Sequence, residues 1–159
     1  YLLSGSDEAV RGYMRQLSET GRYAVTPELH AKIQESFACG CCDEASTAET
    51  IGRVFKERSY LIDTHTAVAW NVLEQYRRES GSRSMSVVVS TASAFKFCAS
   101  VLTALGVEKQ AEGTQILRQL SETAGCPVPK PLAALDGKKI RFTKAVQKTE
   151  MADAVMELL

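Results

Sequence analysis

The fold expected of this chain depends chiefly on one stretch, Met85-Ser86-Val87-Val88-Val89-Ser90-Thr91-Ala92-Ser93. Its three consecutive valines are β-branched and uninterrupted by polar residues, a pattern typical of a strand that is buried on both faces. Small polar residues follow the valines at once, and apolar residues at helical spacing begin at Phe97. The stretch therefore predicts one main buried strand, at about residues 86–91, that leads into a helix.

Two hydroxyl-bearing residues, Ser90 and Thr91, lie at the end of this predicted strand. Ligands in α/β proteins commonly bind at the carboxyl ends of parallel strands, so both residues are candidate ligand contacts. A plain strand–turn–helix, in which one hydroxyl only caps the helix, explains the same pattern. The residues alone leave both interpretations open.

The amino-acid composition argues against several classes of function. The chain has 159 residues, of which 45% are hydrophobic, enough for one domain with a real core. Lys plus Arg equals Asp plus Glu at 19 each, so no net charge favours nucleic acid or an anionic membrane. There is no apolar run long enough to cross a bilayer, and the first residues do not resemble a signal peptide. Together with an odd number of cysteines, five, this predicts a cytoplasmic protein with reduced thiols.

The predicted strand also raises the question of where its sheet is. A strand buried on both faces needs parallel neighbours and covering helices. Residues 60–62 and 140–142 are the further short strand candidates, and the chain does not begin with Met. We therefore expect an α/β fold in which residues 1–159 are a single, helix-rich C-terminal fragment of a larger protein.

Capping residues and apolar spacing predict helices for most of the remaining chain. Helices are also expected over 112–124 and 150–159. The predicted caps are Ser6, Thr26 followed by Pro27, Ser46 in a capping box with Glu49, and either Asp63 or Thr64.

Three cysteines, Cys39, Cys41 and Cys42, lie within four residues of one another. Structural zinc normally needs paired ligands with a short spacer and a second pair downstream, whereas Cys98 and Cys126 are isolated. A surface loop with incidental thiols is therefore favoured, and no metal site is predicted.

Residues 63–66, Asp-Thr-His-Thr, concentrate polar groups at the entrance of a predicted helix. They suit a polar functional site. They suit equally a hydrogen-bonded cap beside a core histidine, His65.

Two motifs, taken together, resemble the threonine synthase family, whose members are pyridoxal 5'-phosphate (PLP) enzymes of the tryptophan-synthase-like fold, also called fold type II. Residues 63–69 match the pattern Asp-Pro-His-Thr-Ala-Val-Ala except that Thr64 replaces proline. Residues 90–97 match Ser-Thr-Ala, any residue, Pro, any residue, Lys-Phe, except that Ala94 replaces proline. The proline-rich residues 127–131 and the following Arg141-Phe142 are also similar to the C-terminal end of that family.

The resemblance implies conversion of O-phosphohomoserine and water to threonine and phosphate, in the cytoplasm, by the intact enzyme. In this fold type a neutral hydroxyl faces the pyridine nitrogen of PLP. The resemblance assigns that role to Thr91, with Ser90 as the second candidate. His65 and Lys96 would line or support the site, and no catalytic residue is expected within this chain.

The family's cofactor lysine and its glycine-rich phosphate loop lie earlier in the polypeptide. None of the ten glycines here forms a phosphate-cradling cluster, and no lysine stands in a matching context. We therefore expect the isolated chain to be inactive and to depend on an N-terminal part of the same polypeptide. Three alternatives stay open: another fold-type-II enzyme acting on an amino acid, a non-catalytic helical binding or scaffold module, and a thiol-rich metal or redox protein.

Overall fold

The computed structural model describes residues 1–141 and 143–157, and within these residues all regular secondary structure is helical. Two short 3-10 turns cover Ala94–Lys96 and Lys148–Glu150. The α-helices are α1 (Asp7–Thr20), α2 (Pro27–Gln34), α3 (Glu44–Arg58), α4 (Thr64–Ser80), α5 (Cys98–Ala104), α6 (Gln115–Ala124), α7 (Lys130–Ala133) and α8 (Met151–Met156).

The predicted α/β fold, with a buried strand at 86–91, is wrong. Residues 82–91 adopt no regular secondary structure, and the outer valines Val87 and Val89 are 86% and 70% exposed. β-Branched residues favour an extended backbone, but a strand also needs a neighbour that completes its hydrogen-bond ladder. The described residues provide no such neighbour, because none of them belongs to a strand.

The two shorter strand candidates are not observed either. Residues 60–62 are irregular, and the apolar Ile62 is buried in the helical core instead. Ile140 and Arg141 are irregular and exposed, and Phe142 lies outside the described residues. An apolar side chain can thus enter a core directly from a loop, without a sheet.

The core forms where α3 packs against α4 and α5, and α5 packs against α6. The close contact between α3 and α5 requires Gly52, because a Cβ at this position would lie 2.8 Å from the carbonyl oxygen of Ala104. The buried apolar residues are Ile51, Val54, Ile62, Ala67, Ala94, Phe95, Cys98, Val101, Leu102 and Leu120.

Three of the predicted helix caps are confirmed. Ser6 accepts a hydrogen bond from the Ala9 amide at 3.1 Å, and Thr26 accepts one from the Leu29 amide at 3.3 Å. Asp63, rather than Thr64, caps α4.

The predicted capping box at Ser46 and Glu49 is wrong, because α3 begins one turn earlier. Its cap is Asp43, whose carboxylate accepts from the Ser46 amide at 2.8 Å. Ser46 lies within the first turn, where its carbonyl accepts from the Thr50 hydroxyl at 2.7 Å.

Helices α1 and α2 lie outside the buried core. α1 and α2 contain no buried residue, so their apolar side chains stay at least partly exposed to solvent. The predicted helix over 112–124 begins at Gln115, and that over 150–159 is observed as α8, with residues 158 and 159 outside the described residues.

No helix in the described part of the chain is both long and apolar enough to cross a membrane.

Candidate functional site

The first component of the candidate site is the buried carboxylate of Asp63 at the start of α4. This residue is 1% exposed. Its Oδ1 accepts from the backbone amide of His65 at 2.9 Å and from that of Thr66 at 3.4 Å. One carboxylate oxygen therefore caps the helix, which leaves Oδ2 for another partner.

That partner is the hydroxyl of Thr66, which is also buried. Thr66 donates its proton to Asp63 Oδ2. The same Thr66 oxygen lies 3.0 Å from Oγ of Ser90, a residue 24 positions further along the chain. The structure thus joins residues 63–69 and 90–97, the two segments singled out in the sequence, through one hydrogen-bonded row of side chains.

The Asp63 carboxylate is held in its charged form. Burial raises the pKa of this group, but hydrogen bonds outweigh burial and hold the pKa below its ordinary value of 3.8. The donors are the Thr66 hydroxyl, the backbone amides of His65 and Thr66, and the His65 ring. The row consequently begins with a negative charge at neutral pH, which favours donation toward Asp63 from every hydroxyl in reach.

The two hydroxyls predicted to contact a ligand differ in their surroundings. Ser90 is exposed, but its hydroxyl is tied to Thr66. Thr91 is also exposed, and in residues 1–141 and 143–157 its hydroxyl makes no hydrogen bond. Thr91 therefore has its full donor and acceptor capacity available, whereas Ser90 has used part of its own.

His65 makes a second connection between the same two segments. Its Nδ1 lies 3.2 Å from Asp63 Oδ1, and its ring centroid lies 5.0 Å from that of Phe97 at a tilt of 56°. The side chain is 66% exposed. The hydrogen-bonded cap expected here is confirmed, but the histidine beside it is not a core residue.

The chain is similar to a known protein family. A family model described as "Threonine synthase, C-terminal" matches residues 66–156, more than half of the chain. The chain belongs to this family. The resemblance inferred from the two motifs is confirmed.

Individual relatives agree with the family assignment. The chain is 31% identical over 129 residues to "Threonine synthase-like 2" of Pongo abelii, covering 80% of this chain and 26% of that protein. It is 34% identical over 105 residues to the Homo sapiens protein of the same name, covering 65% and 22%. Its fold is similar to a PLP-bound threonine synthase from Brucella melitensis, with a TM-score of 0.55, 29% identity, and coverage of 79% and 26%. The chain thus spans about a quarter of the length of these proteins.

Membership of the threonine synthase family makes the two missing prolines interpretable. Thr64 is the first residue of α4, and Ala94 is the first residue of a 3-10 turn. Proline is preferred at the first position of a helix because its missing amide proton is not needed there. Both helical segments begin at these positions without it, since Asp63 and Ser93 supply side-chain caps.

The second motif is anchored by its apolar residues. Ala94 and Phe95 are buried, and the Ser93 hydroxyl accepts from the Phe95 amide at 3.3 Å. Lys96 is exposed, and within the part of the chain that the structure describes its side chain makes no hydrogen bond or ion pair. The fold therefore fixes the backbone of this motif while leaving the predicted ligand contacts at its surface.

Sequence reasoning missed the residues that connect α3 to α4. Arg53 and Glu74 form a bidentate ion pair with N–O distances of 3.0 and 2.6 Å. Trp70 Nε1 donates to the same Glu74 carboxylate at 3.0 Å. Burial raises the pKa of Glu74, but the Arg53 and Trp70 hydrogen bonds hold it below its ordinary value. The spacing of Trp70 and Glu74, four residues on one helix face, was the available signal.

The cysteine segment lies away from this site. Cys39 and Cys41 are exposed, and Cys42 Sγ lies 3.3 Å from Thr47 Oγ1. Among the residues that the structure describes, no three His, Cys, Asp or Glu side chains are grouped so that they could hold a metal ion. Gln75 of α4 donates to the Cys41 carbonyl at 2.9 Å, which fastens the segment to the helix.

Proposed function

We propose that this chain is the C-terminal part of a threonine synthase and forms one wall of its PLP pocket. The observation that carries the proposal is the exposed hydroxyl of Thr91, which has no hydrogen-bond partner among residues 1–141 and 143–157, beside the fixed hydroxyl of Ser90, in a chain of the threonine synthase C-terminal family. The whole enzyme would convert O-phosphohomoserine and water to threonine and phosphate.

The residues present fit one part of the cofactor. A neutral pyridine nitrogen is a hydrogen-bond acceptor. The Thr91 hydroxyl, which bonds to none of the residues that the structure describes, can donate to it from a segment that two connections hold in place. When bound, PLP supplies the electron-accepting ring that stabilises carbanions, while protein groups adjust its electronics. A hydroxyl at the nitrogen donates a hydrogen bond without delivering a full proton, so the ring stays a moderate electron acceptor.

The remaining cofactor contacts are assigned to the rest of the polypeptide. The relatives are about three times as long as this chain, which leaves ample sequence for a cofactor lysine and a phosphate loop. We also propose that the enzyme is cytoplasmic, since all five cysteines are free thiols.

The test compares residues 1–159 with a longer polypeptide that carries them. Both are mixed with PLP and O-phosphohomoserine, and phosphate and threonine are measured separately. We expect the longer protein to release both products in equal amounts and residues 1–159 to release neither. Robust turnover by residues 1–159 alone would contradict the fragment assignment. Phosphate without threonine from the longer protein would point to an elimination enzyme of the same family.

A further inference from the structure

An apolar groove with a volume of about 520 Å³ lies between α1, α2 and residues 1–4. α1 contributes Tyr13 and Met14 to its lining, and α2 contributes Leu29. Of the residues that the structure describes, those lining the groove are apolar or aromatic except for Ser4. The Ser4 hydroxyl is already engaged, because it donates to a backbone carbonyl of its own turn at 3.2 Å. The groove therefore suits apolar side chains rather than a charged ligand.

The side chains that line this groove are in contact with solvent. Met14 is 47%, Tyr23 is 46% and Phe37 is 64% exposed. In the described part of the chain, neither α1 nor α2 packs closely on the core formed by α3 to α6, so the core does not cover them. Single exposed apolar residues are common, but a contiguous apolar patch marks a surface that another segment or protein covers.

The position of the groove favours an occupant from the same polypeptide. The relatives are about three times as long as this chain, and Tyr1, Leu2 and Leu3 themselves line the groove. Residues that precede Tyr1 in a longer polypeptide therefore begin within reach of the groove. Their covalent linkage gives them a high effective concentration there, which a partner from solution does not have.

Two other occupants fit this surface less well. An anionic membrane attracts clusters of basic residues. On α1, however, the basic Arg11 forms an exposed ion pair with Asp7, and Glu8 and Glu19 lie on the same helix beside Arg15. In a two-fold dimer the same surface would have to fill itself, and a concave groove is not complementary to its own copy.

We propose that this groove binds apolar, uncharged side chains from the part of the longer polypeptide that precedes Tyr1. The contact holds α1 and α2 against the rest of the enzyme. This inference rests on the proposed function, which supplies the longer polypeptide, and it adds the surface on which the two parts meet.

Oxidation of Met14 by hydrogen peroxide reports whether the groove is covered. Methionine side chains that reach solvent are converted to the sulfoxide, whereas covered ones are protected. Residues 1–159 and the longer polypeptide are both treated, and the oxidised fraction of the Met14 peptide is followed by mass spectrometry at several protein concentrations. We expect Met14 to react about tenfold more slowly in the longer polypeptide at every concentration.

A pair of substitutions on α1 tests the same contact. Met14→Glu places a carboxylate in the groove, and Gln16→Glu places the same group on α1 outside it. In residues 1–159 both should leave the melting temperature nearly unchanged, because both side chains are exposed. In the longer polypeptide Met14→Glu should lower the melting temperature by several degrees, since a carboxylate must then be buried or the groove opened. Gln16→Glu should have little effect there.

Each other outcome has a definite meaning. Equal oxidation of Met14 in the two proteins would overturn the inference and leave the proposed function intact. Protection that appears only as the protein concentration rises would also overturn it, in favour of a second copy of the chain as the occupant. Protection in a longer polypeptide that forms no threonine would refute the proposed function but support the docking groove. Should Met14→Glu fail to fold, oxidation of the wild-type proteins still decides the matter.

Discussion

The hydroxyl oxygens of Thr66 and Ser90 lie 3.0 Å apart, although the two residues are separated by 24 positions in the sequence. Thr66 belongs to the first turn of α4, whereas Ser90 lies within the irregular segment that precedes the 3-10 turn at Ala94–Lys96. This contact, together with the His65–Phe97 ring contact, therefore fixes where residues 90–97 meet α4. Residues that contribute to it are expected to affect both stability and ligand binding.

Asp63→Ala should lower the stability of the chain. It removes the cap of α4, which costs on the order of 1 kcal/mol, and leaves the buried Thr66 hydroxyl without its carboxylate acceptor. We expect the melting temperature of residues 1–159, followed by circular dichroism, to fall by several degrees.

Asp7→Ala is the matched control for this change. Asp7 likewise lies at the start of a helix, as the first residue of α1, but its ion pair with Arg11 is exposed. The change should therefore alter the unfolding free energy by less than about 0.5 kcal/mol. If the two substitutions lowered stability equally, the hydrogen bonds of Asp63 to α4 and to Thr66 would contribute no more than an exposed charge does.

The contribution of Asp63 to the stability of the folded state should depend on pH. Its folded pKa lies below the ordinary value of 3.8, so the folded state binds the proton more weakly than the unfolded state does. The stabilisation is therefore complete well above pH 3.8 and is lost as the pH falls through the lower, folded pKa.

Melting curves of wild type and Asp63→Asn from pH 7 to pH 2 test this dependence. Asparagine cannot ionise, so the difference in melting temperature should be constant above about pH 5 and shrink toward acid pH. A difference that grew with falling pH would show that the carboxylate is not the stabilising form.

Gly52→Ala should destabilise the contact between α3 and α5. The added Cβ would lie 2.8 Å from the Ala104 carbonyl oxygen, so the two backbones must move apart. This cost opposes the gain of up to about 1 kcal/mol that alanine brings to a helix interior.

Gly12→Ala in α1 is the control, since a Cβ there meets nothing within 4 Å and alanine keeps its full helical advantage. We expect denaturant unfolding to show a lower midpoint for Gly52→Ala and an equal or higher midpoint for Gly12→Ala. A stabilised Gly52→Ala protein would argue against the close packing of α3 on α5.

Local signals in the sequence predicted several helix starts. The caps Ser6, Thr26 and Asp63 each accept from an amide two or three residues away, so the donor and acceptor are close together in the sequence. Asp43 was missed because Ser46 and Glu49 offered a second plausible start one turn later.

Long-range relationships were beyond sequence reasoning. The three valines at 87–89 indicated an extended backbone, but whether they are buried depends on residues far away in the sequence or outside this chain. The contact of Thr66 with Ser90 likewise exists only once α4 and the segment before α5 are packed together. The hydroxyls of the site could be identified as candidates, but their different hydrogen bonding could not.

The most direct test of the proposed site is the PLP affinity and turnover of Thr91→Val beside Ser90→Ala, both in the longer polypeptide. Thr91→Val keeps the shape of the side chain but leaves the pyridine nitrogen without its donor, which costs roughly 1–3 kcal/mol. The account predicts a loss of about one to two decades in cofactor affinity or rate for Thr91→Val, and a much smaller loss for Ser90→Ala. Wild-type behaviour of Thr91→Val, with or without a crippled Ser90→Ala, would contradict it.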